Sequence, residues 1–329
     1  MVRVALIGTS MISHQFAESS RRVPGLQLAG VLSRDADRAA AVAQQIGAPQ
    51  SWSDIEEMLA SPDVDAVYVA SPNSLHHAQC RAALQAGKHV LVEKPAVTTA
   101  AEFMELIALA ESQGVVLFEG MRNAHDPGMA LVRELLPQVG TVRRVSFEYA
   151  QRSSRYDQVL AGEQVNIFDP EMAGGALNDL GVYCVSALVD LFGPPEHVAA
   201  QQVVVASGTD GSGVALMRYP GFVADVSWSK ITASSRPSQI EGELGTITID
   251  RIGEPRRVGL QLLGADPLEY EVDGADETGA FIGNMHLEMA RFVELVDGAA
   301  SAEVDQLRTV QTLRVLEAIR AACGSASGG

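Results

Sequence analysis

The sequence VRVALIGTSMIS, residues 2–13, predicts a β-strand that turns at Gly8 and continues as an α-helix. At such a turn a dinucleotide-binding fold holds a pyrophosphate against free backbone amides and the positive end of the helix dipole. The usual turn is glycine-rich, whereas Ser10 and Ser13 occupy its second and third glycine positions here. Serine is small enough for a close backbone approach, and its hydroxyl can add a phosphate contact. The cofactor-binding candidates in this turn are Gly8, Thr9, Ser10, Met11 and Ile12.

Short apolar runs alternate with helical patterns from Val2 to about Gly120. Capping boxes are predicted at Ser53–Glu56 and Thr99–Glu102, where side chains can satisfy the first free amides of a helix. Alternating strands and helices indicate a doubly wound parallel sheet covered on both faces, here over residues 1–121. The predicted strands are Val2–Ile7, Leu26–Leu32, Ala66–Ala70, His89–Val92 and Val115–Phe118, with a further short strand near Pro49–Ser51.

A second pattern begins after residue 121 and predicts a second α/β domain over residues 122–329. Its β-rich runs are separated by Gly/Pro turns, which indicates an open, mostly antiparallel sheet with helices on one face. The predicted strands are Val142–Ala150, Val198–Ala206, Val214–Tyr219, Phe222–Ser229, Gln239–Gly242 and Thr246–Ile249. The predicted helices are Gly175–Leu191, Met285–Val296 and residues 304–322, followed by a disordered tail at residues 324–329.

Composition excludes several classes of partner. Asp and Glu number 41 against 24 Lys and Arg, a formal net charge of −17, and no basic run is present, so we predict binding to neither nucleic acid nor membranes. We expect a cytoplasmic protein, because no charged leader precedes the first strand and no apolar run approaches the roughly 20 residues that span a bilayer. Cys80, Cys184 and Cys323 are interpreted as buried apolar residues. The histidines lack metal-ligand spacing, so no metal is predicted.

The end of the second predicted strand indicates which dinucleotide binds. A carboxylate there would hold the adenosine ribose and repel a 2′-phosphate, but this chain has Ser33-Arg34. Serine donates a hydrogen bond, and arginine offers a charged fork that can also stack on adenine. This pair favours NADP(H) over NAD(H). Asp35, one residue later, is either a ribose ligand or the cap of the next helix.

Polar residues also follow the fourth predicted strand, at Ser71-Pro72-Asn73 and His76. Ligands of open α/β sheets bind at the carboxyl ends of the strands. Pro72 fixes the loop, and Asn73 and His76 are expected to bring polar groups toward a nicotinamide. The same residues can equally be structural.

A carboxylate and a phenol, Asp179 and Tyr183, stand four residues apart after the flexible glycine pair Gly174-Gly175. Positions i and i+4 of a helix share a face, so both side chains should project toward the same point. A phenol with an ordinary pKa of about 10 exchanges protons poorly near neutrality unless a cation lowers that pKa. Lys94 can supply the cation.

We therefore expect a catalytic set of Lys94, Asp179 and Tyr183 for carbonyl reduction or alcohol oxidation. Tyr183 would exchange the proton, Lys94 would stabilise the oxyanion and lower the phenol pKa, and Asp179 would hold the lysine. The alternative is structural: a surface lysine beside a proline, a helix-face carboxylate and a core aromatic ring.

These motifs together resemble the Gfo/Idh/MocA family of dinucleotide-dependent oxidoreductases over nearly the whole chain. The resemblance rests on the first turn, on Ser71-Pro72-Asn73 with His76, on Glu93-Lys94-Pro95 after residues 86–90, and on residues 174–183. Many members have histidine at the position of Tyr183. Tyrosine there is similar to the branch of glucose-fructose oxidoreductase and dimeric dihydrodiol dehydrogenase.

The resemblance implies a Rossmann domain followed by a C-terminal domain whose open sheet often forms a dimer interface, and hence a homodimer or a dimer of dimers. It adds Glu93, Lys94 and Arg122 to the cofactor-binding candidates. The substrate-binding candidates that it implies are Lys94, Asn123, Arg152, Arg155, Tyr156, Asn166, Asp179 and Tyr183.

The function expected from these residues is hydride transfer between NADP(H) and a CH–OH or C=O group of a sugar, polyol or diol-like small molecule. Two other functions stay open. One is a glycosidase that retains its nicotinamide cofactor as a transient oxidant, and the other is a non-catalytic NADP(H)-binding sensor. Lys94, Asp179 and Tyr183 argue against the sensor.

Overall fold

The structure, a computed structural model, describes residues 1–272 and 283–325. It divides into two compact units. Unit 1 is formed by Met1–Gly120 and Met285–Val310, and unit 2 by Met121–Asn284 and Gln311–Gly329. The sequence predicts a single boundary after residue 121, so the assignment of Met285–Val310 to unit 1 differs from that prediction.

Unit 1 contains the predicted doubly wound parallel sheet, in the strand order β3-β2-β1-β4-β5-β6. The middle strands are apolar on both faces because helices cover both sides, and Leu6, Tyr68 and Leu91 are fully buried. The strands are β1 Val2–Ile7, β2 Leu26–Leu32, β3 Gln50–Trp52, β4 Ala66–Val69, β5 His89–Glu93 and β6 Leu117–Gly120. The helices between them are α1 Met11–Ser20, α2 Ala36–Ile46, α3 Ile55–Ala60, α4 His76–Gln85 and α5 Ala100–Gln113.

Helix ends in unit 1 follow local side-chain chemistry. Thr99 and Glu102 form the predicted capping box of α5. The box predicted for α3 is wrong, because the N-cap is Asp54, not Ser53. The Asp54 carboxylate accepts hydrogen bonds from the first free amides of that helix.

Unit 2 contains a mostly antiparallel sheet in the order β14-β13-β12-β11-β7-β10-β9-β8, as predicted. The central pair, β7 and β10, is parallel. The strands are β7 Val142–Ala150, β8 His197–Val204, β9 Asp210–Tyr219, β10 Phe222–Ser229, β11 Ser238–Gly242, β12 Gly245–Ile249, β13 Arg257–Leu262 and β14 Leu268–Glu271. The helices before β8 are α6 Pro127–Leu135, α7 Tyr156–Leu160 and α8 Val182–Phe192, and a π-helical turn at Leu177–Gly181 precedes α8. The sequence does not predict the last two strands.

The two remaining helices are α9 Met285–Val296 and α10 Glu303–Ser325. The apolar face of α9 joins the core of unit 1, where the Phe292 ring lies 6.3 Å from the ring of Phe118. This packing explains why α9 belongs to unit 1 and does not cover the second sheet. Gly324 and Ser325 end α10, which corrects the predicted start of a disordered tail, and residues 326–329 lie outside the described residues.

One helical stretch, Pro170–Phe192, passes a length and composition test for a membrane span, with a mean hydropathy of 1.3. The sequence does not predict this stretch as a candidate membrane span. Of the 18-residue window within it that meets the test, 78% is buried in the interior of the protein, as expected for a core helix of a globular protein.

Candidate active site

The parallel strands of unit 1 bring most of the cofactor candidates to one edge of the sheet. Gly8, Ser33, Ser71 and Lys94 follow β1, β2, β4 and β5, which are neighbours in the sheet. The order reverses direction at β1, with β2 on one side and β4 on the other. Such a switch point is where open α/β sheets bind their ligands.

The turn after β1 fits a dinucleotide. Gly8 has a φ of +127°, and a Cβ there would lie 2.5 Å from the Ala70 carbonyl oxygen, so the close approach requires glycine. Ser10 is the exposed N-cap of α1, and its side chain makes no capping hydrogen bond within the described residues. The amides of Met11 and Ile12 thus stay available to an anion, while the Ser13 amide donates to the Ser10 carbonyl at 3.0 Å.

Ser13 has a structural use. Its side chain is fully buried and donates a 3.0 Å hydrogen bond to the Gly8 carbonyl. The phosphate contact that the sequence allows for a serine hydroxyl is therefore not available to Ser13. The small residue at the third glycine position instead fixes the turn.

The end of β2 presents Ser33 and the exposed Arg34. Asp35 is the N-cap of α2, since its carboxylate accepts from the Arg38 amide at 3.1 Å. This contact is that of a helix cap, which is one of the two alternatives predicted for Asp35. The Arg38 guanidinium also reaches the first turn, 3.4 Å from the Thr9 carbonyl oxygen. The sequence does not predict this contact of Arg38, because an arginine in the first turn of a helix belongs to no recognisable motif.

His76 does not direct a polar group outward. It is fully buried, with its ring nitrogens 2.9 Å from the Ser71 carbonyl oxygen and 3.1 Å from that of Pro95. Burial lowers the pKa of His76 and favours the neutral ring. His76 therefore links the loop after β4 to the Lys94-Pro95 turn, which is the structural alternative given above, and its contact with a nicotinamide stays a prediction.

Buried carboxyl groups hold the segment that carries Lys94. The Glu93 carboxylate accepts a hydrogen bond from the Tyr68 phenol. The Glu119 carboxyl accepts from the Ala96 amide and from the Thr309 hydroxyl, both at 2.8 Å. Burial raises the pKa of Glu119. The backbone on either side of Lys94 is thus fixed, and Glu119 is a positioning residue that the sequence does not reveal, because its partners are distant in the chain.

The glycine pair of unit 2 serves close packing. Gly175 has a φ of +116°, and a Cβ there would lie 2.1 Å from the Asp210 carboxylate. A Cβ on Gly174 would lie 2.7 Å from the Asn166 carbonyl oxygen. The Asp210 carboxylate accepts from the Leu177 amide at 2.7 Å and from the Trp228 indole at 2.8 Å. The pair is therefore not flexible, and Asp210 anchors the start of the helical segment.

Asp179 lies in the π-helical turn, and Tyr183 lies in the first turn of α8. The sequence predicts a regular α-helix here, whereas π-turns frequently occur at functional sites. The Tyr183 side chain is buried, with its ring 5.5 Å from that of Tyr149. Its backbone carbonyl accepts a 3.0 Å hydrogen bond from the Asn123 amide group.

Asn123 is only 1% exposed, and its amide group also reaches the Ile252 carbonyl oxygen at 3.3 Å. The structure thus gives Asn123 a positioning use beneath Tyr183, a different use from the predicted substrate contact. The side chains of Arg122 and Tyr156 are half-buried, and those of Arg152, Arg155 and Asn166 are exposed. Arg152 forms an ion pair with Asp157 and lies 5.4 Å from the centre of the Tyr156 ring.

Asp179 has a partner that sequence analysis misses. Its carboxylate contacts the ammonium group of Lys230, which follows β10. The Lys230 side chain is 7% exposed, against 37% for Asp179. The sequence offers one hint of this partner, because lysine is rare in this acidic chain. Its lysines are Lys88, Lys94 and Lys230. The role of Asp179 toward Lys94 stays a prediction.

Comparison with known proteins gives relatives over most of the chain. The NADP(+)-dependent scyllo-inositol 2-dehydrogenase of Bacillus subtilis is 44% identical over 79% of this chain and 80% of its own. The trans-1,2-dihydrobenzene-1,2-diol dehydrogenase of Mus musculus is 31% identical over 77% of this chain and 76% of its own. An NADP(+)-dependent D-xylose 1-dehydrogenase of Haloferax volcanii is 28% identical over 95% of both.

Solved structures share the fold. The aldose-aldose oxidoreductase of Caulobacter crescentus superposes with a TM-score of 0.85 at 23% identity, over 99% of this chain and 98% of its own. The 3-ketoreductase KijD10 of Actinomadura kijaniata gives 0.86 at 22% identity, over 98% of both chains.

Two family models divide the chain much as its sequence motifs do. The model for the NAD-binding Rossmann fold of an oxidoreductase family matches residues 2–121, and the GFO/IDH/MocA C-terminal domain matches residues 130–248. Together with the relatives above, these matches show that the chain belongs to the Gfo/Idh/MocA oxidoreductase family.

Proposed function

We propose that this protein is an NADP(H)-dependent oxidoreductase that interconverts CH–OH and C=O groups on a neutral sugar, polyol or diol. The observation that carries the proposal is the fixed presentation of Tyr183. Asn123 holds its backbone, and the packed glycine pair with Asp210 holds the turn before it. Family relatives named as NADP(+)-dependent dehydrogenases of scyllo-inositol and D-xylose support the substrate class.

The residues of unit 1 suit the cofactor. The free amides of α1 and the turn Gly8–Ile12 would hold the pyrophosphate. Ser33 and Arg34 would hold the 2′-phosphate, and Asn73 and Glu93 remain further proposed contacts. Arg122, the second residue after β6 and outside unit 1, is also a proposed contact. When bound, the nicotinamide donates or accepts the hydride.

The chain's own side chains would transfer the proton. In the reductive direction the Tyr183 phenol gives its proton to the substrate oxygen, and in the oxidative direction it takes that proton back. The Lys94 ammonium stabilises the developing oxyanion and favours the ionised phenol. Asp179 provides the negative charge that orients the cations. Arg152, Arg155, Tyr156 and Asn166 are proposed to contact the remaining hydroxyls.

The assembly proposed is a homodimer or a dimer of dimers, in the cytoplasm. The sheet of unit 2 supports it, because neighbouring strands carry large apolar side chains that are about half exposed. These residues are Val203, Val204, Val214, Leu216 and Val223, with exposed fractions between 45% and 57%. Apolar patches of this kind on a sheet face are typical of interfaces.

A substrate screen with two variants tests the proposal. Purified protein is supplied with NADP⁺ or NAD⁺ and scyllo-inositol, myo-inositol, D-xylose or D-glucose, and the absorbance of the reduced cofactor is followed. Tyr183→Phe keeps the ring and removes the ionisable hydroxyl, so turnover should fall by about 10²–10⁴-fold while cofactor affinity survives. Lys94→Ala should lose at least as much, and the double variant should be little worse than the poorer single one.

The outcomes separate the proposal from its rivals. Near wild-type turnover in Tyr183→Phe would show that the phenol is packing only. Cleavage of nitrophenyl glycosides without net NADPH formation would identify a glycosidase that retains its cofactor. Cofactor binding without turnover on any substrate would identify a sensor.

A further inference from the structure

The ammonium group of Lys230 is buried and incompletely paired. Only 7% of its side chain is exposed. Within residues 1–272 and 283–325, its hydrogen-bond acceptor is the carboxylate of Asp179. The centre of the Phe168 ring lies 5.9 Å from the ammonium nitrogen, and this ring offers no lone pair. An ammonium group has three N–H donors, so two of them have no acceptor in this part of the protein.

Lys88 is a better-paired ammonium group in the same chain. It is half-buried, and it donates to the backbone carbonyls of Ser61 at 3.2 Å and Val64 at 2.7 Å. Lys230 is more deeply buried and has fewer acceptors. Since a buried N–H without an acceptor loses the hydrogen bond that it would make in water, an additional oxygen acceptor would stabilise the ammonium of Lys230.

The backbone at Lys230 is fixed on both sides. Its amide donates to the Gly211 carbonyl at 2.8 Å, and its carbonyl accepts from the Ser153 amide at 2.8 Å. The hydroxyl of Ser229, a residue 3% exposed, accepts from the next two amides, those of Ile231 at 3.2 Å and Thr232 at 2.9 Å. The backbone that carries the side chain is therefore held in place. Burial and the contact with Asp179 restrict the ammonium itself, so it can act as a preorganised donor.

We infer that Lys230 is a further substrate-binding residue that, together with Asp179, recognises a pair of neighbouring hydroxyl groups. One hydroxyl oxygen accepts from the free N–H groups of Lys230, and the adjacent hydroxyl donates to the half-exposed carboxylate of Asp179. The charges of the pair cancel, which suits a neutral polyhydroxylated ligand better than a phosphate or a sugar acid. This inference rests on the proposed function, because it names the substrate group read beside the reacting carbon.

Affinity in a non-reacting complex tests the inference directly. Protein saturated with NADPH is titrated with scyllo-inositol, and in parallel with D-xylose, in a calorimeter. An alcohol such as scyllo-inositol cannot react with the reduced cofactor, so binding alone is measured there. Lys230→Met should weaken polyol binding by about 10- to 100-fold, the usual effect of a charge-assisted hydrogen bond, and leave NADPH affinity unchanged. Lys88→Met is the matched control and should bind both polyols as the wild type does.

The same titrations in Asp179→Asn protein distinguish direct contact of Lys230 with the polyol from a role only in orienting Asp179. If Lys230 only orients Asp179, Lys230→Met should have no further effect in Asp179→Asn protein. Direct contact predicts that it still weakens polyol binding at least about fivefold there. Lys230→Arg keeps the charge and the donors and should recover part of the affinity. If Lys230→Met does not fold, Lys230→Gln serves in the same titrations.

Several results would overturn the inference. They are wild-type affinity in Lys230→Met, loss of its effect in the Asp179→Asn background, and failure of the wild type to bind either polyol. The proposed function fails differently: a wild type that binds polyol yet transfers no hydride to NADP⁺ overturns that function and leaves the role of Lys230 supported by its affinity difference.

Discussion

Arg34 follows β2 and Arg38 lies in the first turn of α2, and the two have different expected roles in cofactor binding. Arg34 is exposed at the end of β2, whereas Arg38 contacts the Thr9 carbonyl beside the predicted pyrophosphate site. If Arg34 reads the 2′-phosphate, Arg34→Ala should weaken NADP(H) by about 10- to 100-fold and leave NAD(H) nearly unchanged. Arg38→Ala should weaken both cofactors alike, because both contain the pyrophosphate. Calorimetric titration with each cofactor measures this, and equal wild-type affinities for NADP(H) and NAD(H) would contradict the role of Arg34.

Asp126 makes the stability of the protein depend on pH in a particular direction. Its side chain is 3% exposed and accepts hydrogen bonds from Gly128 and Asn284, and burial raises its pKa to about 6. An unfolded aspartate has a pKa of about 3.9. Between these values the folded chain retains a proton that the unfolded chain releases, so this group's contribution to the free energy of unfolding falls as pH rises from about 4 to about 6.

Asp126 is the N-cap of α6. The variant Asp126→Asn should remove the slope, because asparagine also caps helices and does not titrate. Relative to wild type, its free energy of unfolding should rise by on the order of 2 kcal/mol between pH 4 and pH 7. Urea denaturation of both proteins across this range measures the difference. A difference that stays constant with pH would show that Asp126 is not the group responsible.

The sequence predicts the place of a site residue well when that place follows from the order of the strands along the chain. Ser33, Ser71 and Lys94 each follow a predicted parallel strand, so their shared edge follows from topology. Glu119 and Lys230 have partners distant in sequence, and a lone carboxylate or lysine carries no signal of such a contact. His76 is the converse case: its position after a strand is predicted, but its full burial is not.

At the scale of elements, the turn before α8 depends on two glycines that no other residue can replace. Gly175→Ala would place a Cβ 2.1 Å from the Asp210 carboxylate at a φ of +116°, so both the backbone and the anchor of Leu177 would be strained. We expect a loss of at least about 2 kcal/mol in the free energy of unfolding. Gly47→Ala is the matched control, since Gly47 also has a positive φ, of +75°, but nothing lies within 4 Å of its would-be Cβ.

Denaturant titration of both glycine variants measures these losses. The strain of a left-handed alanine costs about 1 kcal/mol by itself, so Gly47→Ala should lose about that much. Equal losses in the two variants would show that the contact with Asp210 adds nothing. In that case the glycine pair would serve backbone conformation alone.

Periodicity predicts elements whose burial is regular. The apolar spacing of α9 predicts Met285–Val296, which the structure reproduces residue for residue. The π-turn at Leu177–Gly181 escapes prediction because it depends on Asp210 and Trp228, which lie on the sheet. The strands β13 and β14 escape for another reason: their polar residues weaken the alternation at the edge of the sheet.

For the whole molecule, the sequence predicts two folding units but not the return of the chain to the first. Near residue 121 the regular alternation of predicted strands and helices gives way to β-rich runs separated by Gly/Pro turns. The membership of Met285–Val310 in unit 1 depends on Phe292 packing near Phe118, a contact between segments far apart in the chain. Hydrophobic spacing shows that α9 has an apolar face, but it does not show which core that face joins.

The exposed apolar side chains on β8, β9 and β10 lead to a prediction about assembly. If a second copy covers them, the mass in solution should be at least twice 34.9 kDa. Leu216→Asp places a charge on this face, where the wild-type leucine is 54% exposed, and should shift the protein toward the monomer. Leu263→Asp is the control, because Leu263 is 77% exposed in the turn after β13 and should leave the mass unchanged. Light scattering over a dilution series measures both. The dimer would be contradicted if the wild type were monomeric at micromolar concentration and its melting temperature did not depend on concentration. In that case a second copy of the chain does not cover the apolar face.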